Sequence, residues 1–228
     1  MDFEVTMISS VFANAYLLTG SRVALVDTLG RHGHRMIERA LRKKNMGIGD
    51  IEFILLTHHH FDHAGSAAFI QEASGAHVIA GEEDSGVIEG SLETPLPGSI
   101  SLSGRLMGKI PAPVLRKYQS YPRVTVDRKV NHGDFIEELG LETVGMPGHT
   151  PGGMCYFEPV GKRAFAGDIV FNYFARPGMP LLASSYSVSE LKLSQQRLVD
   201  LGIEQLYPGH GAPITSDAAR RIALLASG

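Results

Sequence analysis

The chain has 228 residues and a formal net charge of −3 at pH 7, with 21 Lys and Arg against 24 Asp and Glu. This length is enough to bury a sizeable core, and the charge balance lacks the basic excess that favours nucleic-acid binding. No run reaches the roughly 18 apolar residues that a membrane-spanning helix requires, and the first residues lack the features of a signal peptide. We therefore expect a cytoplasmic protein that binds neither nucleic acid nor membranes.

Apolar runs in the first half of the chain predict strands separated by turns. In chain order, the expected elements are strands at 3–7, 15–18 and 23–26, a helix at 36–42, a strand at 51–56, a helix at about 65–73 and a strand at 76–80. The run 51–56 is aliphatic, which is typical of a buried strand. Polar residues at the end of such a strand are where an α/β sheet usually presents functional groups.

Four side chains capable of binding a metal follow this buried strand, namely His58, His60, Asp62 and His63. Because side chains alternate along an extended segment, the first three would share one side, and the fourth would point elsewhere unless the chain turns. Two of the four could therefore hold one metal ion and two another.

Three more candidate ligands, His149, Asp168 and His210, stand beside apolar runs in the second half of the chain. Gly and Pro bracket both histidines and predict tight turns there. Neutral imidazole and carboxylate are ligands for zinc and other first-row divalent ions. Seven such groups exceed the roughly four ligands of one tetrahedral ion. We therefore expect two metal ions, with Asp168 bridging them.

The second half of the chain repeats the plan of the first. The expected elements are strands at 124–126, 141–144, 154–157, 163–166 and 203–206, and helices at 189–201 and 218–225. Ser187 or Ser189 is expected to cap the long helix. Two sheets with helices on their outer faces would bury both layers.

The spacing His-x-His-x-Asp-His at 58–63 resembles the signature of the metallo-β-lactamase superfamily. His149, Asp168 and His210 follow in that family's order, as does the strand end at Asp27, which would support the metal loop. The resemblance runs from about Val5 to about Arg221. It implies an α/β (α+β) fold, a four-layer αββα sandwich, as one domain over residues 1–228.

The resemblance also implies an assignment of the ligands. His58, His60 and His149 would hold the first metal, Asp62, His63 and His210 the second, and Asp168 would bridge them. Zinc is the first expectation, with iron or manganese as alternatives. Asp62 and Asp168 would be the catalytic carboxylates, and Asp62 would also accept a proton or orient the hydroxide.

Among the branches of the superfamily, the chain looks most like the glyoxalase II, lactonase and generic hydrolase branch. That branch implies a hydroxide bridging two metal ions, which cleaves a small-molecule ester, thioester or lactone. Acyl-homoserine lactonases favour tyrosine three residues after the bridging Asp, where this chain has Phe171, so ester or thioester hydrolysis is favoured. A mononuclear iron dioxygenase acting on persulfides, a phosphodiesterase of the same fold, and a binding or scaffold protein stay open.

Two segments fall outside the regular pattern. Residues 89–122 are rich in proline and carry several basic side chains, and a loop of more than about 15 residues in a compact domain is usually functional or disordered. An ordered lid or a dimer arm is favoured over a flexible insertion, so a homodimer is one expectation. The segment 171–186 follows Asp168 and is a candidate pocket wall, with Phe171, Tyr173 and Arg176 as substrate-binding residues.

The remaining histidines do not fit the ligand pattern. They are His32, His34, His59, His77 and His132. Because an isolated histidine lacks convergent partners, these five are expected to face solvent or to make local hydrogen bonds. The chain's single cysteine, Cys155, lies in an apolar run and is expected to pack as a small hydrophobic residue.

Overall fold

The computed structural model describes residues 3–96 and 100–227. Within these ranges, the first sheet consists of six strands: β1 (Phe3–Ser9), β2 (Asn14–Gly20), β3 (Val23–Val26), β4 (Phe53–Leu56), β5 (His77–Gly81) and β6 (Arg128–Val130). They are hydrogen-bonded in chain order. The first two pairs are antiparallel, and the pairs from β3 to β6 are parallel.

Seven further strands occur in the second half of the described chain: β7 (Phe135–Ile136), β8 (Leu141–Gly145), β9 (Met154–Glu158), β10 (Arg163–Gly167), β11 (Phe171–Tyr173), β12 (Arg176–Gly178) and β13 (Gln205–Pro208). Five of them form the second sheet in the order β13-β10-β9-β8-β7. The β13–β10 pair is parallel and the others are antiparallel. Strands β11 and β12 form a separate antiparallel hairpin.

The helices of the described residues are α1 (His34–Arg42), α2 (Phe61–Ala64), α3 (Ala67–Ser74), α4 (Glu82–Glu89), α5 (Leu102–Met107), α6 (Ala112–Gln119), α7 (Val188–Asp200) and α8 (Ala218–Ser227). Single turns of 3-10 helix occur at Ile48–Asp50 and Leu182–Ser184. The Ser187 hydroxyl accepts a hydrogen bond from Glu190 N, so the predicted cap of α7 is confirmed at this serine. Among the described helices, none has the length and apolar character needed to cross a membrane.

Alternation of side chains along the strands sorts the core into three layers. On β4, Phe53 and Leu55 pack between the two sheets, whereas Ile54 and Leu56 pack against the helices on the outer face of the first sheet. On β9, Tyr156 faces the space between the sheets, and Cys155 faces the layer of α7 and α8. The predicted αββα sandwich is therefore confirmed, and Cys155 is fully buried as expected.

One predicted strand is wrong. Residues 124–126 form no ladder, and the strand of this region is β6, which starts at Arg128. Val124 and Val126 alternate because both are buried against the helix side of the first sheet, and burial of a loop produces the same pattern as a strand. The strand expected at 203–206 pairs instead over Gln205–Pro208, and the helix expected from residue 65 begins at Ala67, after the separate short helix α2.

The insertion at 89–122 contains the two helices α5 and α6, so its irregular composition did not mean irregular structure. Pro111 and Pro113 flank the first residue of α6. A proline there costs nothing, because the first turn of a helix has no intrahelical partner for the missing N–H. Helix α5 packs against the turn Leu182–Ser184. Pro97, which contributed to the predicted irregularity, lies outside the described residues.

Candidate metal centre

The candidate ligands between residues 58 and 63 divide into two pairs because the chain turns after His60. That residue is extended, with φ −66° and ψ 148°, and α2 begins at Phe61. The expectation that His58, His60 and Asp62 share one side is therefore wrong. The helical turn carries Asp62 and His63 away from the other two and towards the loop that follows β13.

The first ligand group consists of His58, His60 and His149. Their ring nitrogens converge: His60 Nδ1 lies 3.1 Å from His58 Nε2 and 2.9 Å from His149 Nε2. These three residues come from the loop after β4 and the loop between β8 and β9. The tertiary structure thus brings together residues that are 89 positions apart in sequence.

The second ligand group consists of Asp62, His63 and His210. His210 Nε2 lies 3.4 Å from His63 Nε2 and 3.6 Å from Asp62 Oδ2. His63 Nε2 and Asp62 Oδ2 are 3.9 Å apart. Within each of the two groups, one ligand atom per residue lies within 4.8 Å of the others.

Asp168 lies between the two groups. Its Oδ2 is 3.3 Å from His149 Nε2 in the first group and 3.1 Å from His210 Nε2 in the second. Its Oδ1 is buried without a hydrogen-bond partner among the described residues, although His63 Nε2 lies 3.3 Å away. A buried carboxylate oxygen without a partner is costly, and a cation at this position would remove that cost.

In three of the candidate ligand histidines, the hydrogen bond made by Nδ1 determines whether Nε2 carries a free lone pair. The Thr57 hydroxyl donates to Asp27 Oδ2 at 2.8 Å, so its oxygen can accept from His58 Nδ1 at 3.0 Å. Asp27 Oδ2 also lies 2.8 Å from His63 Nδ1, and a carboxylate can only accept. Each of these rings, when neutral, therefore presents an unprotonated Nε2 to the ligand groups.

The same assignment follows for His149. The Ser185 hydroxyl donates to Leu181 O at 3.2 Å, so its oxygen accepts from His149 Nδ1 at 2.9 Å. His149 Nε2 is then an acceptor, and His60 Nδ1 faces it at 2.9 Å. In one tautomer His60 Nδ1–H donates to it, and in the other both nitrogens offer lone pairs to a shared cation. The donor set therefore fits divalent metal ions.

Electrostatics favour the ligand forms of the first group and of Asp168, whereas nearby carboxylates outweigh burial and raise the pKa of His63 well above its usual value. Burial, together with the neighbouring histidines, lowers the pKa of His58 and His60 well below the usual value. Burial also lowers the pKa of His149 to about 4. Burial opposes ionisation of Asp168, but His63 and His210 outweigh it and hold the pKa of that carboxyl well below its usual range. Near neutral pH the first group is thus neutral and Asp168 is ionised, as metal binding requires.

A carboxylate that the sequence did not single out, Asp84, joins the two loops of the first ligand group. Its Oδ2 accepts hydrogen bonds from His59 N at 3.0 Å and Thr150 Oγ1 at 2.8 Å, and its Oδ1 accepts from Gly152 N at 2.9 Å. Asp84 stands in the acidic first turn of α4, a pattern typical of a solvated helix start, so no sequence signal distinguished it. His59 is buried beside Asp84 and does not face solvent.

A cavity of about 780 Å³, called here the metal-side cavity, opens onto both ligand groups. All three predicted substrate-binding residues, Phe171, Tyr173 and Arg176, line it. The Phe171 ring lies 4.3 Å from the His210 ring, and the Tyr173 hydroxyl lies 3.4 Å from His210 Nδ1. Much of the remaining wall is apolar, and includes Val11, Phe12, Phe61, Met107, Leu115, Met179, Pro180, Leu181 and Leu182.

An αββα sandwich with convergent His and Asp side chains at the ends of its strands defines a class of metal-dependent proteins. The model of the metallo-beta-lactamase superfamily matches residues 9–210. The chain belongs to this superfamily, as its signature residues indicated.

Two curated relatives illustrate the range of similar proteins. The chain is 30% identical to an acyl-coenzyme A thioesterase, MBLAC2 of Gallus gallus, over 87% of this chain and 72% of that protein. It is 28% identical to a hydroxyacylglutathione hydrolase of Rhizobium meliloti, over 52% of this chain and 33% of that protein. The chain thus matches about a third of the latter's length.

Two solved structures are similar over nearly the whole chain. The metallo-beta-lactamase family protein TTHA1429 from Thermus thermophilus superposes with a TM-score of 0.75 at 26% identity, covering 99% of this chain and 78% of that one. TTHA1623 in a di-iron-bound form superposes with a TM-score of 0.64 at 26% identity, covering 92% and 93%. Both similarities support the fold derived above.

Proposed function

We propose that this chain is a metal-dependent hydrolase that cleaves ester-type bonds of small molecules, with acyl thioesters as its first substrate class. The observation that carries this proposal is the pair of ligand groups on either side of Asp168, open to the metal-side cavity. Two divalent ions held there would activate water as hydroxide and polarise the substrate carbonyl. Zinc is our first expectation, and the di-iron-bound neighbour supports iron as the main alternative.

The protein's own side chains prepare the site for this reaction. Asp27 and Ser185 orient His63 and His149 through their Nδ1 atoms, which aims the lone pairs inward. Asp62 lines the metal-side cavity, and burial raises the pKa of its carboxyl. In this proposal the Asp62 carboxyl orients the attacking water and takes up its proton.

The shape and lining of the metal-side cavity support an acyl substrate. Ligand pockets of about 300–1,000 Å³ with mostly apolar walls bury small molecules well, and this cavity is of that size. The acyl-coenzyme A thioesterase among the relatives acts on such a substrate class by its name. Arg176 lies in the same wall and is a candidate partner for a polar group of the substrate.

We further propose that residues 1–228 form one domain and that the insertion at 89–122 acts as a lid. Met107 of α5 and Leu115 of α6 both line the metal-side cavity, which a remote dimer arm would not require. A dimer arm is the competing role. A mass measurement in solution, with and without the insertion, distinguishes the two.

The test is a substrate panel run anaerobically on protein purified without chelator. We expect hydrolysis of acyl thioesters and aryl esters, and little turnover of phosphodiesters or β-lactams. The His60→Ala variant is the matched negative control, because it removes one ligand of the first group. If the protein is inert on all acyl substrates but consumes oxygen with glutathione persulfide, the function is that of a dioxygenase and the hydrolase proposal is wrong. Preferential phosphodiester cleavage would contradict the proposed substrate class.

A further inference from the structure

A second cavity, called here the basic cavity, adjoins the metal-side cavity and has a volume of about 690 Å³. Four residues line both cavities, namely Phe12, Phe61, Asp62 and Tyr118. The Phe61 and Tyr118 rings meet edge to face with centroids 5.0 Å apart, and both rings border the two cavities. Asp62, on the same boundary, belongs to the second ligand group. A substrate that reacts at the ligand groups can therefore extend into both cavities.

The basic cavity differs from its neighbour in charge. Arg31, His32 and Lys117 line it. The Arg31 guanidinium donates to the carbonyl oxygens of Ser120, at 2.7 Å from Nε, and of Lys117, at 3.4 Å. These neutral acceptors hold the group in place without cancelling its charge. Within ranges 3–96 and 100–227, neither Arg31 nor Lys117 forms an ion pair with a carboxylate.

Helix α6 separates the two environments. Leu115 projects to the metal-side cavity, whereas Val114 and Lys117 line the basic cavity. Val114 and Tyr118 are 56% and 63% exposed despite their apolar surface, so a ligand in the cavities would cover side chains that are otherwise in water. One helix thus offers an apolar contact on one side and a cationic contact on the other.

We propose that the basic cavity binds the anionic thiol half of a thioester substrate, while the metal-side cavity holds the apolar acyl half. The recognised chemistry is a phosphate or carboxylate group on the thiol, as in coenzyme A or glutathione. In hydrolysis the C–S bond breaks and its electron pair leaves on sulfur. The water oxygen joins the acyl carbon, one proton goes to the thiol, and the other goes to solvent. This inference deepens the proposed function and rests on it for the acyl half.

The kinetic test compares three thioesters with the same hexanoyl group: those of coenzyme A, glutathione and the uncharged thiol N-acetylcysteamine. We expect a higher kcat/KM for an anionic thiol than for the uncharged one, and the preferred anion identifies phosphate or carboxylate. The Lys117→Gln variant should lower this preference by about two- to fivefold, as expected for one exposed ion contact, mainly through KM. Lys43→Gln, an exposed change on the far end of α1, is the matched control.

A binding measurement separates this inference from the hydrolase proposal. Calorimetry with S-methyl-coenzyme A and S-methylglutathione measures binding at the basic cavity without turnover. The sulfur of these compounds cannot ligate a metal as a thiolate. Binding that weakens in Lys117→Gln and with added salt supports the inference even if no acyl substrate is cleaved. The inference is overturned if the N-acetylcysteamine ester is hydrolysed as fast as both anionic esters and neither capped thiol binds. That result would leave the hydrolase proposal intact.

Discussion

Asp84 allows the most direct test of how the first ligand group is held. Its buried carboxylate accepts three hydrogen bonds from the loops of His59 and Thr150, yet it is not one of the ligands. The Asp84→Asn change keeps the side-chain size but removes the charge and one acceptor atom. A hydrogen bond to a charged group contributes about 1.5–3 kcal/mol. With one bond lost and the others weakened, we expect the free energy of unfolding to fall by about 2–4 kcal/mol.

The same change should also loosen the metal centre. Removing a group that orients metal ligands typically lowers affinity about 10–100-fold, and Asp84 contacts the two loops that carry the first ligand group. We therefore expect Asp84→Asn to lose one metal ion at a chelator concentration that leaves the wild type loaded. Metal content after graded dialysis measures this loss, and chemical unfolding of the metal-free chain measures stability separately. Asp127→Asn is the matched control, because that exposed carboxylate accepts from Val78 N at 2.8 Å on β5.

Stability against acid gives a further check on Asp84. Burial opposes ionisation, but His59 and the hydrogen bonds from Thr150 and Gly152 lower the pKa of this carboxyl overall. A lowered pKa in the folded state adds stability above the unfolded value of about 3.9, and this stability disappears as the pH falls through the folded value. The Asp84→Asn variant should not show this part of the loss of folding stability at low pH. Wild-type stability at pH 7 together with wild-type metal affinity would refute the role given to Asp84.

Three other changes test the ligand groups and the lid. His60→Ala should abolish activity and lower metal content from about two ions per chain, with little change in the unfolding of the sheets, and elemental analysis with circular dichroism would show this. Gly209→Ala places a Cβ against Asp168 Oδ1 and should displace metal. Gly49→Ala is its control, because a Cβ at that position meets no atom within 4 Å. Equal metal content in the two variants would contradict the geometry. Replacing 102–119 by a short turn should raise KM with both metals retained, and unchanged kinetics would exclude a lid.

The candidate ligands could be recognised from sequence because each lies next to an element that has a local pattern. His58 to His63 follow the apolar run of β4 directly, and Asp168 and His210 follow β10 and β13. Side-chain periodicity and turn residues operate over a few positions, so they reveal where strands end and which polar groups stand there. The αββα layering follows from the same patterns, since alternation along β4 and β9 divides the core.

Only the tertiary structure decided how these groups combine. The turn into α2 separates Asp62 from His60, and no pattern in the sequence marks which residue begins that helix. Asp84 contacts Thr150 across 66 positions, and its acidic neighbours indicate an ordinary helix start. The basic cavity likewise joins Arg31 to Lys117 and Ser120, 86 and 89 positions away. Contacts of this kind depend on how packed elements meet in space, and local spacing carries no information about that meeting.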